Sequence, residues 1–375
     1  MLAESGQGTR FLYDESCRVS IGCTLPAATR EHNWRQGLHP FFQNLGAEGW
    51  LRGVQARAGR TNDQDDFGFL LNFGADCIGA VGVEPLDRVE AILPLADDQF
   101  AAAATGARRT VSGVHKKLLA FRDGRQFRAA VHADDPASHI AKFNREDLPT
   151  FVWNEDISLR LARDLLGADA VTRAEIGTLN GIEGNALLVE RFDRDGDNRL
   201  RLEDLAQILS KPRGQDFGGK YLSSYEEAAQ AVVTYSARPR IDLDRFFRLV
   251  IFNCVIGNAD AHLKNFSLLE RPEGLRLSPA YDLINSCVYA AQFDTETALE
   301  IDGRKRPLDT IDRHVLEKLA ADIGLPAAAA NRALEELGKR LARSKVLKLP
   351  IFAAPDDFRE RYGDIVRAHA RRILV

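Results

Sequence analysis

Residues 257–282 read GNADAHLKNFSLLERPEGLRLSPAYD, and this stretch decides the fold expected of the chain. The segment before it, IDLDRFFRLVIFNCVI, predicts a mostly buried helix. Gly257-Asn258 can end that helix, because both residues tolerate the left-handed conformation of a C-cap. Alternating apolar residues on either side of Arg271-Pro272-Glu273-Gly274 then predict a β-hairpin.

Polar residues flank this hairpin at both ends. The short loop before it holds Asp260, His262, Lys264 and Asn265, and Asp282 follows the second strand. Because a hairpin brings its two ends together, the amide of Asn265 and the carboxylate of Asp282 are expected to meet beside Asp260. Such oxygen ligands suit a hard cation, most naturally Mg²⁺ carrying phosphates.

The spacing from Asp260 to Asn265, D-x-x-x-x-N, is that of a kinase catalytic loop. There the Asp accepts the proton of the acceptor hydroxyl, and the Asn and a later Asp bind metal. The alternative is an ordinary polar loop with an Asx turn, since this spacing also occurs by chance. The hairpin and Asp282 behind the loop favour the kinase interpretation.

Composition limits the class of protein. The chain has 375 residues, a length sufficient for two or three core-forming units. Of these residues 45% are hydrophobic and 28% are charged, as in an ordinary globular protein. A net charge of −4 gives no general attraction to nucleic acid or anionic membrane. Five cysteines without a C-x-x-C pair indicate reduced thiols in a cytoplasm, and no apolar stretch approaches the ~20 residues of a membrane span.

Residues 1–100 are expected to form a separate small unit. The predicted order is strands in RFLYDE and RVSIGCTL, helix in HPFFQNLGAEGWLRGVQARAG, and helix, turn and strand in DDFGFLLNFGADCIGAVGVEP. The tract AAAATGARR near residues 101–109 is interpreted as a linker. At the other end of the chain, the segment from Asp309 onward is predicted to be mostly helical.

The next segments carry candidate nucleotide contacts. Asp123-Gly124 between apolar runs predicts a hairpin. In HIAKFN, residues 139–144, Lys142 would face inward, where its charge requires a partner, and Glu155 at the start of the next helix is the natural one. The alternatives are a lysine on an edge strand facing water, and a glutamate favoured by the helix dipole.

Two loops between these elements remain open to interpretation. Thr110 to Gly113 is a small-residue loop that could lie over phosphates or simply begin a strand. The acidic residues between Asp193 and Asp204 match a calcium-binding loop only in part, because Asn198 replaces its glycine and Asp204 its final glutamate. A solvated turn is the preferred interpretation there.

In this order, TVSGVHKK, HIAKF, NED, LLVERFDR, LEDLAQ, KY, GNADAHLKNF and YD resemble the HipA family of bacterial toxin serine/threonine kinases. FFQNLGAEG and GADCIGAVGVEP resemble its N-terminal subdomain. The resemblance covers most of the chain and implies an α+β, bilobal, protein-kinase-like fold with an extra N-terminal α+β subdomain and a mostly helical C-lobe. The implied domains are residues 1–100, then 101–192 with the nucleotide loop and hinge, then 193–375 with the catalytic loop and metal ligands.

The resemblance also assigns roles to residues. Asp260 matches the catalytic aspartate, and Asn265 and Asp282 match the metal ligands. Lys264 could neutralise the transferring phosphoryl or form a structural salt bridge. The residues expected around ATP are Lys142, Glu155, Glu190, Arg191, Phe192, Ser112, Gly113 and His262, of which His262 could instead pack the loop.

The sequence departs from the family pattern in three places. Thr110 stands where the family has its phosphorylated loop serine, so both Thr110 and Ser112 are autophosphorylation candidates. The first strand, before RFLYDE, is reduced to MLAESGQG. Asn258-Ala259-Asp260 and Asp282-Leu283-Ile284 stand where ordinary protein kinases have HRD and DFG.

The expected function is Mg²⁺-dependent transfer of the ATP γ-phosphoryl to a serine or threonine of a protein. The resemblance implies an aminoacyl-tRNA synthetase as a candidate substrate and a small helix-turn-helix, HipB-like antitoxin as partner, with operator DNA bound mainly through the antitoxin. Two alternatives stay open. One is a small-molecule kinase of the aminoglycoside or homoserine type, and the other is an inactive nucleotide-binding co-repressor.

Overall fold

The computed structural model describes residues 1–86, 99–106, 108–111, 113, 115–348 and 354–375. The chain divides into two compact units, and each is made of two separate segments. Unit 1 comprises Met1–Arg145 and Ile176–Lys220, and unit 2 comprises Glu146–Glu175 and Tyr221–Val375. The predicted domain limits at residues 100 and 192 rest on sequence motifs and stay a prediction.

The bounds of the elements follow in chain order. The strands are β1 (Leu2–Ser5), β2 (Gly8–Leu12), β3 (Glu31–Trp34), β4 (Lys117–Asp123), β5 (Gln126–Ala129), β6 (His139–Phe143), β7 (Ala174–Leu179), β8 (Ile182–Glu190), β9 (Arg194–Asp195), β10 (Asn198–Arg199), β11 (Leu202–Asp204), β12 (Ser267–Arg271) and β13 (Gly274–Leu277). The helices are α1 (Pro40–Gln43), α2 (Gly49–Ala58), α3 (Asp66–Phe73), α4 (Gln99–Gly106), α5 (Phe151–Leu166), α6 (Leu205–Ile208), α7 (Tyr225–Tyr235), α8 (Pro239–Ile256), α9 (Arg313–Asp322), α10 (Ala327–Arg343) and α11 (Asp356–Ile373).

Unit 1 begins with an antiparallel sheet in the order β1-β2-β3. The first strand, expected to be reduced in MLAESGQG, is present as the four-residue β1, which pairs with β2. The strand predicted in RVSIGCTL is wrong, since this stretch contributes only a bridge between Gly22 and Leu25. Its backbone bonds instead to the hydroxyl of Tyr13, which donates to the Leu25 carbonyl and accepts from the Ile21 amide.

The tract interpreted as a linker is helical. Residues 99–106 form α4, with Phe100, Ala101 and Ala104 buried. Alanine is the best helix former, and the ring of Trp50 packs edge-on against Phe100 at 5.0 Å, so this helix belongs to the core. The strand predicted after α3 is also wrong, because the described residues 74–86 form only a bridge between Asp76 and Arg109.

The second part of unit 1 is a closed barrel in the order β4-β5-β7-β8-β6. The hairpin predicted at Asp123-Gly124 is confirmed as β4–β5, with Gly124 at φ +61°. β6 lies between β4 and β8, both antiparallel to it. Lys142 is therefore on an inner strand and buried, which excludes the edge-strand alternative.

Unit 2 is mostly helical, with one hairpin, β12–β13. α8 is its central helix, and α5, α7, α10 and α11 pack against it. Gly257 ends α8 in the left-handed conformation, φ +76°, as predicted. No helix among the described residues is long and apolar enough to cross a membrane.

Asp242 joins α8 to the hairpin. Its side chain is fully buried in the first turn of the helix. It accepts hydrogen bonds from Arg276 Nε at 2.8 Å, from the Leu277 amide at 3.0 Å and from Ser236 Oγ at 2.6 Å. The position of β13 on α8, and so of the residues that follow β13, depends on this carboxylate.

Candidate active site

The loop after α8 is shaped by its own side chains. Asn258 Oδ1 accepts the Asp260 amide at 3.0 Å, which is an Asx turn. Ser286 Oγ accepts the Ala259 amide at 2.7 Å and donates to the Gly257 carbonyl. The Asx turn considered as an alternative is therefore present, and its effect is to fix the backbone of Asp260.

The carboxylate of Asp260 is 20% exposed and lies at the centre of a polar group. Tyr221 Oη donates to its Oδ1 at 2.6 Å, and His262 Nε2 lies 4.0 Å from the same oxygen. The rings of Tyr221 and His262 meet edge to face at 5.0 Å. Asp260 thus already accepts a hydroxyl hydrogen bond, which is what a catalytic base does with its acceptor.

The structure brings Asn265 and Asp282 together, as the hairpin predicts. Asn265 Nδ2 donates to the Asp282 carbonyl at 3.3 Å. Among the described residues, the buried Asn265 Oδ1 has no hydrogen-bond partner, so the amide presents an oxygen that a cation could use. Asp282 has φ +55°, an unusual conformation for a residue with a side chain and one associated with functional sites.

This donor set fits Mg²⁺ only together with further oxygens. Within the described ranges, no group of three or more His, Cys, Asp and Glu side chains is placed to hold a metal. One amide oxygen and one carboxylate leave most positions of an octahedral ion to phosphate and water. That is the usual arrangement for magnesium carrying a nucleotide.

Two tethers hold the ends of the hairpin. Tyr281 Oη donates to the carbonyl of Lys264 at 2.7 Å and shares a 2.5 Å hydrogen bond with Ser267 Oγ. Both His262 and Lys264 are buried, so neither is a solvated loop residue. A hydrogen bond therefore joins Tyr281, the residue before Asp282, to Lys264, the residue before Asn265.

A third tether links α5 to the segment after Asp282. Asn154 Nδ2 donates to the Asn285 carbonyl at 2.9 Å, and its Oδ1 accepts the Asn285 amide at 2.8 Å. Glu155, the next residue in α5, is fully buried. α5 has no acidic residue in its first turn, so the helix-dipole alternative for Glu155 is wrong.

In unit 1, Lys142 has a neighbour that sequence reasoning missed. Lys117 of β4 lies directly opposite Lys142 of β6, and both are buried. Directly opposite residues of antiparallel strands share a face, so both lysine side chains leave the barrel wall on the same side. Gly113, at φ +109°, passes so close that a Cβ there would collide with Lys117 Nζ. The signal was the last lysine of TVSGVHKK.

Of the two hydroxyls predicted as autophosphorylation sites, Thr110 and Ser112, the structure describes only that of Thr110. Thr110 is buried, and its hydroxyl donates to Gln55 Oε1 at 3.2 Å while its amide donates to the Asp76 carbonyl. Modification of Thr110 therefore requires the loop to leave this position. Ser112 lies outside the described residues.

The predicted hinge follows β8. Glu190 is exposed at the strand end, whereas the Arg191 amide donates to the Ser138 carbonyl at 2.8 Å. Adenine contacts in this stretch would therefore come from Glu190 or Phe192 rather than from the Arg191 amide. The Arg191 side chain is buried and structural, since it pairs with Asp193 at 2.9 Å.

The carboxylate of Asp193 is occupied by protein groups and does not act as a ligand of a calcium-binding loop. Its carboxylate accepts hydrogen bonds from Arg191, from Arg194 and from the Gly79 amide. Burial disfavours both charges, yet their pairing outweighs it and lowers the pKa of Asp193 while raising that of Arg191. The hairpin β9–β10 that follows is the turn expected there.

The domain models of one family match both parts of the chain. The HipA-like C-terminal domain matches residues 109–344, and the HipA N-terminal domain matches residues 1–84. The chain belongs to the HipA family. The resemblance that the motifs indicated is thereby confirmed.

Two proteins named as kinases are similar over most of the chain. "Putative kinase Y4mE" of Sinorhizobium fredii is 30% identical over 343 residues, which is 84% of this chain and 79% of that protein. The serine/threonine-protein kinase toxin HipA of Shewanella oneidensis is 30% identical over 262 residues, 65% of this chain and 58% of that protein.

Solved structures share the fold. A chain of the Shewanella oneidensis complex of HipA, HipB and operator DNA matches with a TM-score of 0.77 at 22% identity, over 99% of this chain and 93% of that chain. The proinflammatory kinase CtkA of Helicobacter pylori matches with a TM-score of 0.50 at 13% identity, over 69% of this chain and 88% of that chain. The predicted α+β, kinase-like fold is confirmed.

Proposed function

We propose that this HipA-family chain is a toxin-type kinase that transfers the γ-phosphoryl of ATP to a serine or threonine of a protein. The observation that supports this most directly is the loop in which Asp260 accepts a hydroxyl hydrogen bond close in sequence to Asn265, whose amide oxygen is buried and unused. A base for the acceptor and an oxygen for the metal are the two parts that phosphoryl transfer needs from this loop.

The proposed step uses few protein groups. Asp260 orients the acceptor hydroxyl and takes its proton as the new O–P bond forms and the bond between the β,γ-bridging oxygen and the γ-phosphorus breaks. Asn265 and Asp282 would hold Mg²⁺, which would supply positive charge to the phosphate oxygens. Lys264 is the proposed neutraliser of charge on the transferring group. Positioning and charge neutralisation account for most of the acceleration.

The remaining predicted residues are assigned to the nucleotide. Lys142, with Lys117 opposite it, is the proposed pair for the phosphates. Glu190 and Phe192 are proposed to contact adenine. The other proposed contributors are the loop residues Ser112 and Gly113, and Glu155 and His262.

Regulation and partners are proposed by analogy with the family. We propose autophosphorylation of Thr110 or Ser112, which would displace the loop, and control by a small helix-turn-helix antitoxin of the HipB type. Operator DNA would be bound mainly through that antitoxin. An aminoacyl-tRNA synthetase is the proposed class of substrate, with arrested translation as the consequence.

Asp260→Asn tests the proposal. The variant keeps the size of the side chain but not its basicity, so we expect transfer of labelled phosphate from ATP to fall by at least about a hundredfold, in line with loss of a general base. Nucleotide affinity should stay within about twofold. Transfer at the wild-type rate by Asp260→Asn would contradict the assignment. Nucleotide binding by the dephosphorylated wild-type chain without any transfer would favour the co-repressor alternative.

A further inference from the structure

A fixed basic turn lies in unit 2, in the sequence Asp302-Gly303-Arg304-Lys305. Asp302 and Gly303 have φ of +55° and +71°, and the Ile301 amide donates to the Arg304 carbonyl at 2.9 Å. This is the geometry of a tight two-residue turn. The backbone amide of Asp302 also donates a hydrogen bond to Glu226 Oε1 at 2.9 Å, which anchors the turn to α7. The turn is therefore a rigid support for the two cations that follow it.

Lys305 lies against the residue that contacts Asp260. Its ammonium is 5.4 Å from the centre of the Tyr221 ring, and Tyr221 donates to Asp260 at 2.6 Å. A cation over an aromatic face is attracted to it, so the ring favours this position of the ammonium. Tyr221 thus contacts both Lys305 and the carboxylate proposed to bind the acceptor hydroxyl.

The turn carries three cations, Arg304, Lys305 and Arg306, and one carboxylate, Asp302. Arg304 and Lys305 are exposed, and neither forms an ion pair with a residue that the structure describes. Arg306 differs, because it pairs with Asp302 and is mostly buried. Exposed lysines are usually just solvated, and what distinguishes Lys305 is its contact with Tyr221.

We propose that Lys305, with Arg304, selects protein acceptors that carry an acidic side chain within about three residues of the phosphorylated hydroxyl, since an extended chain advances ~3.4 Å per residue. The inference rests on the proposed kinase function and names its substrate class. An acidic side chain in that position would pair with Lys305 while the hydroxyl contacts Asp260.

The test compares matched serine peptides in which one position, from four residues before to four residues after the serine, is Glu, Gln or Lys. The quantity measured is kcat/KM with Mg²⁺-ATP on the full chain. We expect the best Glu peptide to exceed its Gln counterpart by about threefold to tenfold at low salt, the range of one or two exposed ion pairs. The preference should shrink in 0.5 M salt, because exposed charges are screened.

Variants connect the preference to the turn. Lys305→Glu should reverse it toward Lys peptides, and Arg304→Ala should weaken it. Lys339→Glu is the matched control, an exposed lysine of α10, and should keep the wild-type ratio. An equal rate for Glu and Gln peptides in the wild type, or a preference that survives in Lys305→Glu, overturns the inference while the kinase function stands.

Two further outcomes also count against it. If Lys305→Glu weakens binding of a short RNA but leaves the peptide ratio unchanged, the turn binds nucleic acid and the inference is wrong. If the wild type phosphorylates no peptide and no protein in a lysate, the proposed function fails and the inference fails with it.

Discussion

Tyr221 is the residue whose removal tests the geometry around Asp260 most directly. Its phenol donates to Asp260, and a hydrogen bond to a charged group contributes about 1.5–3 kcal/mol. Water or the acceptor can replace part of that, so we expect kcat of Tyr221→Phe to fall about tenfold. Nucleotide affinity should not change. Kinetics and direct nucleotide binding measure the two quantities separately.

A control variant separates this effect from a general loss of hydroxyl groups. Tyr235→Phe alters a partly exposed tyrosine at the end of α7 and should leave kcat unchanged. If Tyr221→Phe weakens nucleotide binding as much as it lowers kcat, Tyr221 does not act through the acceptor step.

Sequence spacing could place Asn265 beside Asp282, because one hairpin joins the two residues. It could not assign Tyr221, which lies 39 residues before Asp260 and whose contact with it depends on the fold. The position of Lys117 opposite Lys142 could not be predicted either, because it depends on strand register. Register depends on the whole barrel rather than on local pattern.

At the scale of elements, Asp242 connects α8 to β13. Asp242→Asn removes the charge that Arg276 faces, and breaking a mostly buried pair is costly, so we expect a loss of about 2–4 kcal/mol of unfolding free energy. Asp244→Asn, in the same helix turn but with a side chain that is 28% exposed, should cost less than about 1 kcal/mol. Denaturant titration compares the two, and equal losses would contradict the role given to Asp242.

The same carboxylate predicts how stability depends on pH. Burial alone would raise the pKa of Asp242, but hydrogen bonds from Arg276, Ser236 and Leu277 outweigh it and lower the pKa below the ordinary 3.8. The stabilisation is therefore complete above about pH 4 and is lost as pH falls through the lower folded-state value. Asp242→Asn should flatten this acid limb in denaturant titrations repeated from pH 6 downward.

Elements were predictable where one physical signal dominated. The end of α8 was predicted correctly from Gly257 after an apolar run. The hairpin was predicted correctly from Pro272 and Gly274 between alternating strands. Two elements failed because a tertiary contact outweighed the local pattern. The hydroxyl of Tyr13 replaces the strand partner expected for residues 18–25, and the alanines of α4 were taken for a linker although Phe100 places them in the core.

At the scale of the whole molecule, bound nucleotide should raise the melting temperature. At a ligand concentration about 100 times Kd, binding adds about 2.7 kcal/mol, which corresponds to a few degrees for a chain of this size. We expect Mg²⁺-ATP to give this shift and EDTA to reduce it. Asn265→Ala should reduce the shift in Mg²⁺-ATP, and a full shift in that variant would contradict its proposed role as a metal ligand. Thermal scans measure all of these.

The barrel is the part of the fold that sequence patterns could not supply. Its closure includes the parallel pair between β5 and β7, which joins Phe127 to Leu179 across a long stretch of chain. Hairpins can be predicted from neighbouring residues, whereas such a pairing depends on where the intervening helix α5 leads the chain.

The divided course of the chain has a consequence for its synthesis. Unit 1 leaves the ribosome as Met1–Arg145 but requires Ile176–Lys220 to close its barrel, so β6 has no β8 beside it until then. β6 ends at Phe143 and β8 at Glu190, so at ~5–20 residues per second that gap lasts roughly 2 to 9 seconds. During it, unpaired strand edges are open to other nascent chains, and Lys142 is not yet enclosed. A chaperone that covers strand edges would act within this interval, and a transcript truncated near codon 145 would yield an aggregating fragment rather than a small domain.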